Sequence, residues 1–312
     1  MQPAAIAIEH LTKHYGALKA VDDLSLTVHP GEFFGLLGPN GAGKTTTISA
    51  IVGLVRNDGG QIRVMGHDVQ ADYRQARRIV GLSAQEYNFD RYLSIEDVLI
   101  YQAGYFGIPT AIARPRAHTL LKQFGLFEKR DVDYLKLSGG MKRRLTIARA
   151  LIHEPKVLIL DEPTAGTDVA LRLELWQQLR ELNRQGLTIV LTTHYLEEAE
   201  ELCKRIAIMR EGRIVALDET KRLIGGATGQ TLTVHLSGPL TELPLAWQDR
   251  LAHVTQTDEQ ITVTGVQPAD VGPLLAALGD AVTGVSLTQR NLQDLFLELT
   301  GERLPETDEA TA

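Results

Sequence analysis

The 312-residue chain holds a single cysteine, Cys203. One thiol excludes an internal disulfide and cannot build a cysteine metal cluster, so Cys203 reads as a small residue on a helix and receives no role. Long apolar runs are missing too. The uncharged, largely apolar stretch Val98 to Ala113 is broken by Gln102, Gly104, Gly107 and Pro109, and it is shorter than the roughly 20 apolar residues a membrane helix needs. No basic run exceeds Lys142, Arg143 and Arg144, and 32 basic against 39 acidic residues leave a net charge of -7. That balance gathers no polyanion, so nucleic acid is not an expected partner. Met1 to Glu9 carry neither a charged leader region nor a long apolar segment, which makes the cytoplasm the expected location. Work at a membrane would need another chain to span it.

What is present has ordinary globular composition, 44% hydrophobic and 23% charged, in a chain long enough for two domains. Alternating segments between Ile6 and Val28 predict an open β layer, and the apolar run Phe33 to Leu37 predicts a buried strand. A glycine-rich turn then leads into a helix over Thr45 to Leu54. The middle reads as helical over Ile95 to Tyr105, Pro115 to Phe124 and Met141 to His153, the last capped by Ser138. Val157 to Leu160 and Thr188 to Leu191 have the continuous apolar character of parallel strands covered on both faces, with a helix over Leu171 to Asn183 between them. Composition changes after Arg213 to Leu217, and Gly225 to Gly229 reads as a linker. Beyond it, Thr231 to Ser237 and Ile261 to Thr264 alternate like strands, and Leu292, Leu295, Phe296 and Leu299 recur as one face of a helix. The expected organisation is an α/β domain over 1–225 with a helical part at about 86–155, a small α+β domain over 230–303, and a flexible tail over 304–312.

The segment Gly38, Pro39, Asn40, Gly41, Ala42, Gly43, Lys44, Thr45 matches G-x-x-x-x-G-K-[ST]. Its glycines let backbone N–H groups point at phosphates, Lys44 reaches the outer ones and Thr45 offers a hydroxyl to Mg²⁺. Thr46 joins this set in the first turn of the following helix, whose N-terminus adds partial positive charge. The strand Val157 to Leu160 ends in Asp161 and Glu162, at the carboxyl edge where α/β sheets bind ligands. Asp161 suits Mg²⁺ held through water, and Glu162 suits the orientation and deprotonation of a water attacking a γ-phosphate. Leu137, Ser138, Gly139, Gly140 and Met141 then open a second helix with a second anion cradle of the same kind. One nucleotide already has its phosphates held by the first loop. A second cradle therefore suits the nucleotide of another copy, in a head-to-tail dimer with two nucleotides between the halves.

Together these residues resemble the ATP-binding subunits of ABC transporters over about Ile6 to Leu217. That resemblance implies a P-loop, RecA-like ATPase core with an antiparallel β subdomain and a helical subdomain, ATP and Mg²⁺ as cofactors, and hydrolysis of ATP. It makes Leu137 to Met141 the signature motif and Val157 to Glu162 the Walker B strand. Gln85 becomes the glutamine that reaches Mg²⁺ and the attacking water, and His194 the switch histidine at the γ-phosphate. Tyr15 is the aromatic implied to stack on adenine, and Asp168 matches the loop that reaches across the dimer. Thr167 departs from the aliphatic residue usual before that aspartate. Ser138, Gly139, Gly140 and Asp168 would thus serve the ATP of the partner copy.

Gly139 to Arg144, Thr193 to Glu200 and Asn291 to Gly301 are similar to the export-type ABC-2 subfamily of drug and polysaccharide exporters. The expected partners are a second copy of the chain and a separate integral membrane permease of ABC-2 type, with the chain peripheral on the inner face of the cytoplasmic membrane. The resemblance places the permease contact on Tyr87 to Leu93, where Phe89 and Tyr92 suit either that contact or the core. A different class, a soluble ABC ATPase acting on DNA or ribosomes, would show a long heptad segment or a second cassette, and the sequence has neither. A P-loop kinase or GTPase acting alone leaves Leu137 to Met141 unexplained.

Overall fold

A computed structural model describes residues 3–225, 230–238, 253–257, 260–266, 268–289 and 292–301. The chain divides into two compact units, 1–217 and 218–303. Of the expected linker, residues 226–229 lie outside the described residues, as does the expected tail over 304–312.

In the first unit, β1 (Ile6–Tyr15), β2 (Leu18–Val28), β4 (Gly59–Val64) and β5 (His67–Asp68) form an antiparallel sheet in the order β2-β1-β4-β5. Ile6 and Ile8 of β1 and Leu24, Leu26 and Val28 of β2 point to the buried face, as the alternation requires. A second sheet has the order β10-β9-β3-β8-β7-β6. Its members are β3 (Phe33–Leu37), β6 (Val80–Ser83), β7 (Val157–Asp161), β8 (Thr188–Thr193), β9 (Arg205–Arg210) and β10 (Arg213–Glu219). β3 pairs in parallel with both β8 and β9, and β7 with both β6 and β8. Every residue of β3, β7 and β8 is buried, which is why these strands read as unbroken apolar runs. Helix α1 (Lys44–Ile51) contributes Ile48, Ala50 and Ile51 to one core cluster with residues of both sheets.

After α2 (Tyr73–Ile79), the helical part comprises α3 (Ile95–Tyr105), α4 (Thr110–Gln123) and α5 (Gly139–Leu151). Ser94 caps α3 by accepting from the Asp97 N–H at 3.1 Å, worth about 1 kcal/mol. Helix α4 begins five residues before the expected start at Pro115, which lies inside it. The spacing of buried Ala113, Ala117 and Leu121 fixes one helical face across the proline, so tertiary burial outweighs the local preference of proline for a helix start. Helix α6 (Val169–Arg184) buries Arg172, Leu175, Trp176, Leu179 and Leu182 along one stripe, and α7 (Leu196–Leu202) ends at the buried Cys203. No helix among the described residues is long and apolar enough to cross a membrane.

The second unit contains α8 (Thr220–Gly225) and a four-stranded sheet of β11 (Gln230–Leu236), β12 (His253–Gln256), β13 (Gln260–Val266) and β14 (Val282–Gln289) in the order β12-β13-β11-β14. Helices α9 (Pro268–Leu278) and α10 (Leu292–Thr300) complete it. Leu232, Val234, Leu236, Ile261 and Val263 form its core with Leu274 and Leu278 of α9. This is the α+β pattern that the alternating strands and the Leu292–Phe296 helix face predict.

Candidate functional site

Four neighbouring strands, β3, β8, β7 and β6, run parallel and deliver the loops after them to one edge of the sheet. Those loops carry Gly38 to Lys44, His194, Asp161 to Glu162, and Gln85. A topology that gathers carboxyl ends in this way is what makes such an edge a ligand site.

The loop after β3 is shaped by close approaches. A Cβ on Gly43 would lie 2.5 Å from the Ala20 carbonyl oxygen, and the backbone there has φ +101°. One on Gly38 would lie 2.5 Å from the Met209 carbonyl oxygen. Only glycine fits either place. Gly43 caps α1 without a side-chain bond, and the first turn carries no acidic residue, which leaves N–H groups and the helix dipole to an anion. Lys44 is buried and donates from Nζ to the Gly38 and Pro39 carbonyls at 2.6 and 3.0 Å. Burial lowers its pKa, against the pull of the Glu162 and Asp161 charges. Thr45 is exposed and Thr46 half-buried in the same turn.

Asp161 is buried and pairs in register with Thr192 of β8. The Thr192 hydroxyl donates to its Oδ1 at 2.5 Å. Glu162, the next residue, sits at φ +49°, a left-handed conformation that costs a side-chain-bearing residue roughly 1 kcal/mol. The strand neighbour and a helix hold it there: its N–H donates to the Thr192 carbonyl at 3.0 Å, and its carbonyl accepts from Arg143 at 2.7 Å. The Glu162 carboxylate accepts from Gln85 Nε2 at 2.9 Å and lies 3.4 Å from His194 Nδ1. The His194 contact, helped by the charges of Lys44 and Arg143, holds its pKa below the usual carboxylate range against the opposing effect of burial. Three residues chosen from separate parts of the sequence therefore meet at one carboxylate.

The predicted second cradle lies at the start of α5. Ser138 caps that helix, accepting from the Met141 N–H at 3.3 Å. Space around Gly139 is open, whereas a Cβ on Gly140 would run into Leu171 Cδ2 of α6. Asp168 caps α6 through the Leu171 N–H at 2.9 Å, so Leu171 connects the two segments expected to serve a partner copy. No hydrogen bond among the described residues joins Ser138, Gly139 or Gly140 to the loop Gly38 to Thr46. Thr167, the departure from the family pattern, donates its hydroxyl to the Thr164 carbonyl at 2.7 Å.

Tyr15 ends β1 with 48% of its surface exposed and Lys13 Nζ 5.5 Å from its ring centre. Phe89 is 9% exposed and packs on Tyr134 at 5.2 Å, while Tyr92 is 85% exposed. Of the two aromatics expected near Gln85, one is core and one is surface. Sequence reasoning missed Thr192 and Arg143 as parts of the site. Thr192 was legible in principle, because parallel pairing of the two apolar runs places it opposite Asp161; Arg143 stood out only as part of a basic run and of the stretch Gly139 to Arg144, neither of which points to the Glu162 backbone.

Residues 21–165 match the ABC transporter family. The chain is 41% identical over 309 residues to Nod factor export ATP-binding protein I of Paraburkholderia xenovorans, covering 97% of this chain and 99% of that one. It is 40% identical to the protein of the same name from Rhizobium meliloti, covering 96% and 89%. Among solved structures, the ATP-binding subunit of an ABC transporter aligns at 30% identity with a TM-score of 0.65, covering 70% of this chain and 91% of that one. A dimeric ATP-binding cassette in a post-hydrolysis state with ADP and phosphate aligns at 25% identity and 0.64, covering 69% and 98%. Likeness that runs the full length of its relatives, beyond the phosphate loop alone, makes this chain a member of the family of ABC transporter ATP-binding subunits, and so an ATPase that binds ATP.

Proposed function

We propose that the chain drives export through a separate membrane permease by closing head to tail on a second copy when ATP is bound and reopening after hydrolysis. The observation that carries this reading is whole-length likeness at 41% identity to a protein named for Nod factor export. A soluble role on DNA or ribosomes has no comparable support. The permease is assigned to the ABC-2 type on the resemblance of Gly139 to Arg144 and Thr193 to Glu200, and the chain to the cytoplasmic face of that membrane.

In the proposed site, Gly38 to Thr46 hold the phosphates, with Tyr15 against the adenine. This edge offers Mg²⁺ the Asp161 carboxylate and the exposed Thr45 hydroxyl, and among the described residues no group of three His, Cys, Asp or Glu side chains could hold a metal ion. Such a site matches the habit of Mg²⁺, which takes one or two carboxylates together with waters and substrate phosphate oxygens. Thr45, Asp161 and Gln85 would hold it, and the ion would neutralise charge developing on the phosphates. Lys44 exchanges the carbonyls of its own loop for the outer phosphates. A γ-phosphate competes with Glu162 for His194, which frees the carboxylate to accept a proton from water positioned by Gln85. Ser138, Gly139, Gly140 and Asp168 of the second copy complete the site.

The test is recovery of the tagged chain, carrying Glu162→Gln and held in ATP, from native membranes. The reading predicts an integral membrane protein without an ATP-binding cassette of its own; ribosomal proteins or DNA alone in that fraction would refute it.

A further inference from the structure

We propose that Arg143 is a positioning residue for hydrolysis, fixing the backbone from which Gln85 and Glu162 project. The proposal rests on the site assignment above and extends it to a residue that bonds to the backbone behind the site. Arg143 stands in the first half of α5, is 2% exposed, and spends its guanidinium on backbone carbonyls. One terminal nitrogen donates to Ala84 at 3.1 Å and Gln85 at 3.4 Å, and the other to Glu162 at 2.7 Å. A single planar fork therefore bridges two loops that leave adjacent strands. Glu162 is the residue with the left-handed backbone, so its peptide plane needs an external hold.

The same arginine lies 5.4 Å from the centre of the Tyr87 ring, and the Tyr87 hydroxyl donates to the Gly139 carbonyl at 3.4 Å. Gly139 belongs to the cradle that the chain offers its partner. Arg143 thus ties the carboxylate of one site to the first turn of the helix that completes the other. Lysine cannot reproduce this geometry, because its ammonium is a point donor on a flexible stem. Burying a guanidinium is also unfavourable, and burial lowers its pKa; a purely apolar packing position would not hold one.

The experiment compares full-length Arg143→Lys, Arg143→Met, Gln85→Ala and the Arg143→Met/Gln85→Ala double variant, with Glu162→Gln as the reference for the site itself. Steady-state kcat for ATP hydrolysis, Kd for MgATP and thermal midpoint are measured on each. Small displacements of reacting groups cost up to about 100-fold. The expected result is a kcat lower by about 10-fold in Arg143→Lys and about 100-fold in Arg143→Met, with Kd changed less than about threefold. Groups acting as a unit are non-additive, so the double variant should be no more than about threefold slower than the slower single one.

Arg143→Met with kcat within about twofold of the parent, while Glu162→Gln is inactive, would overturn the proposal and leave the site assignment standing. Losses of kcat and affinity that track the thermal midpoint, or losses that multiply in the double variant, would make Arg143 a scaffold residue and overturn it equally. Normal turnover by Glu162→Gln would remove the assignment itself, and the proposal with it.

Discussion

The side-chain amide of Gln85 donates to the carboxylate of Glu162 at 2.9 Å, across 77 residues of chain. The contact exists because β6 and β7 pair in parallel, Ser83 opposite Leu160, and release their loops side by side. His194 reaches the same carboxylate from β8, the next strand over. The proposed base is therefore held by two of its own neighbours. Chemistry would begin only when a γ-phosphate takes His194 away.

Lys44→Ala should weaken MgATP binding by roughly 100-fold, the scale of removing one partner from a buried charge pair. Titration calorimetry with MgATP checks it. Because Lys44 otherwise bonds only to the Gly38 and Pro39 carbonyls, the thermal midpoint without nucleotide should fall little. Affinity within about threefold of the parent would count against the phosphate role.

The phosphate loop was legible because its requirements are local: a strand, bare glycines and a helix start follow one another in the chain. Asp161 and Glu162 were legible for a similar reason, standing at the end of an apolar run. Arg143 and Thr192 act through residues brought close by sheet pairing and helix docking, which no local pattern encodes. Helix α4 shows the limit differently. Pro115 looked like a helix start, but burial of Ala113, Ala117 and Leu121 carries the helix through it.

Ser138→Arg should lower kcat by about 100-fold while leaving MgATP affinity of the isolated chain within about twofold. Ser138 is exposed at the start of α5 and bonds only locally, so in the proposed dimer the change should obstruct the partner's nucleotide and not the chain's own. Parallel measurement of Kd and ATP turnover decides it. Normal turnover would show that the second cradle is wrongly assigned.

Glu198 gives a pH signature. Its side chain is buried, and Trp176 Nε1 donates to it at 3.1 Å. Burial raises its pKa above 4.5, more than the Trp176 bond, the nearby Thr193 and Thr164 hydroxyls and the Arg172 charge lower it. A raised carboxylate pKa means that the folded chain binds the proton more tightly than the unfolded one. The stabilising contribution is thus complete below the ordinary value and is lost as pH rises through the folded one. Glu198→Gln cannot ionise, so the midpoint of the variant minus that of the parent should become more positive from pH 4.5 to pH 8. A difference that stays flat, or falls, would show that Glu198 stays ionised in the fold.

The account turns on a site completed by a second copy, and the mass of Glu162→Gln in solution tests that most directly. Light scattering coupled to size exclusion should find a monomer without nucleotide and a dimer in excess MgATP, because binding persists while hydrolysis stalls. A monomer at saturating MgATP, or a dimer indifferent to nucleotide, would contradict it.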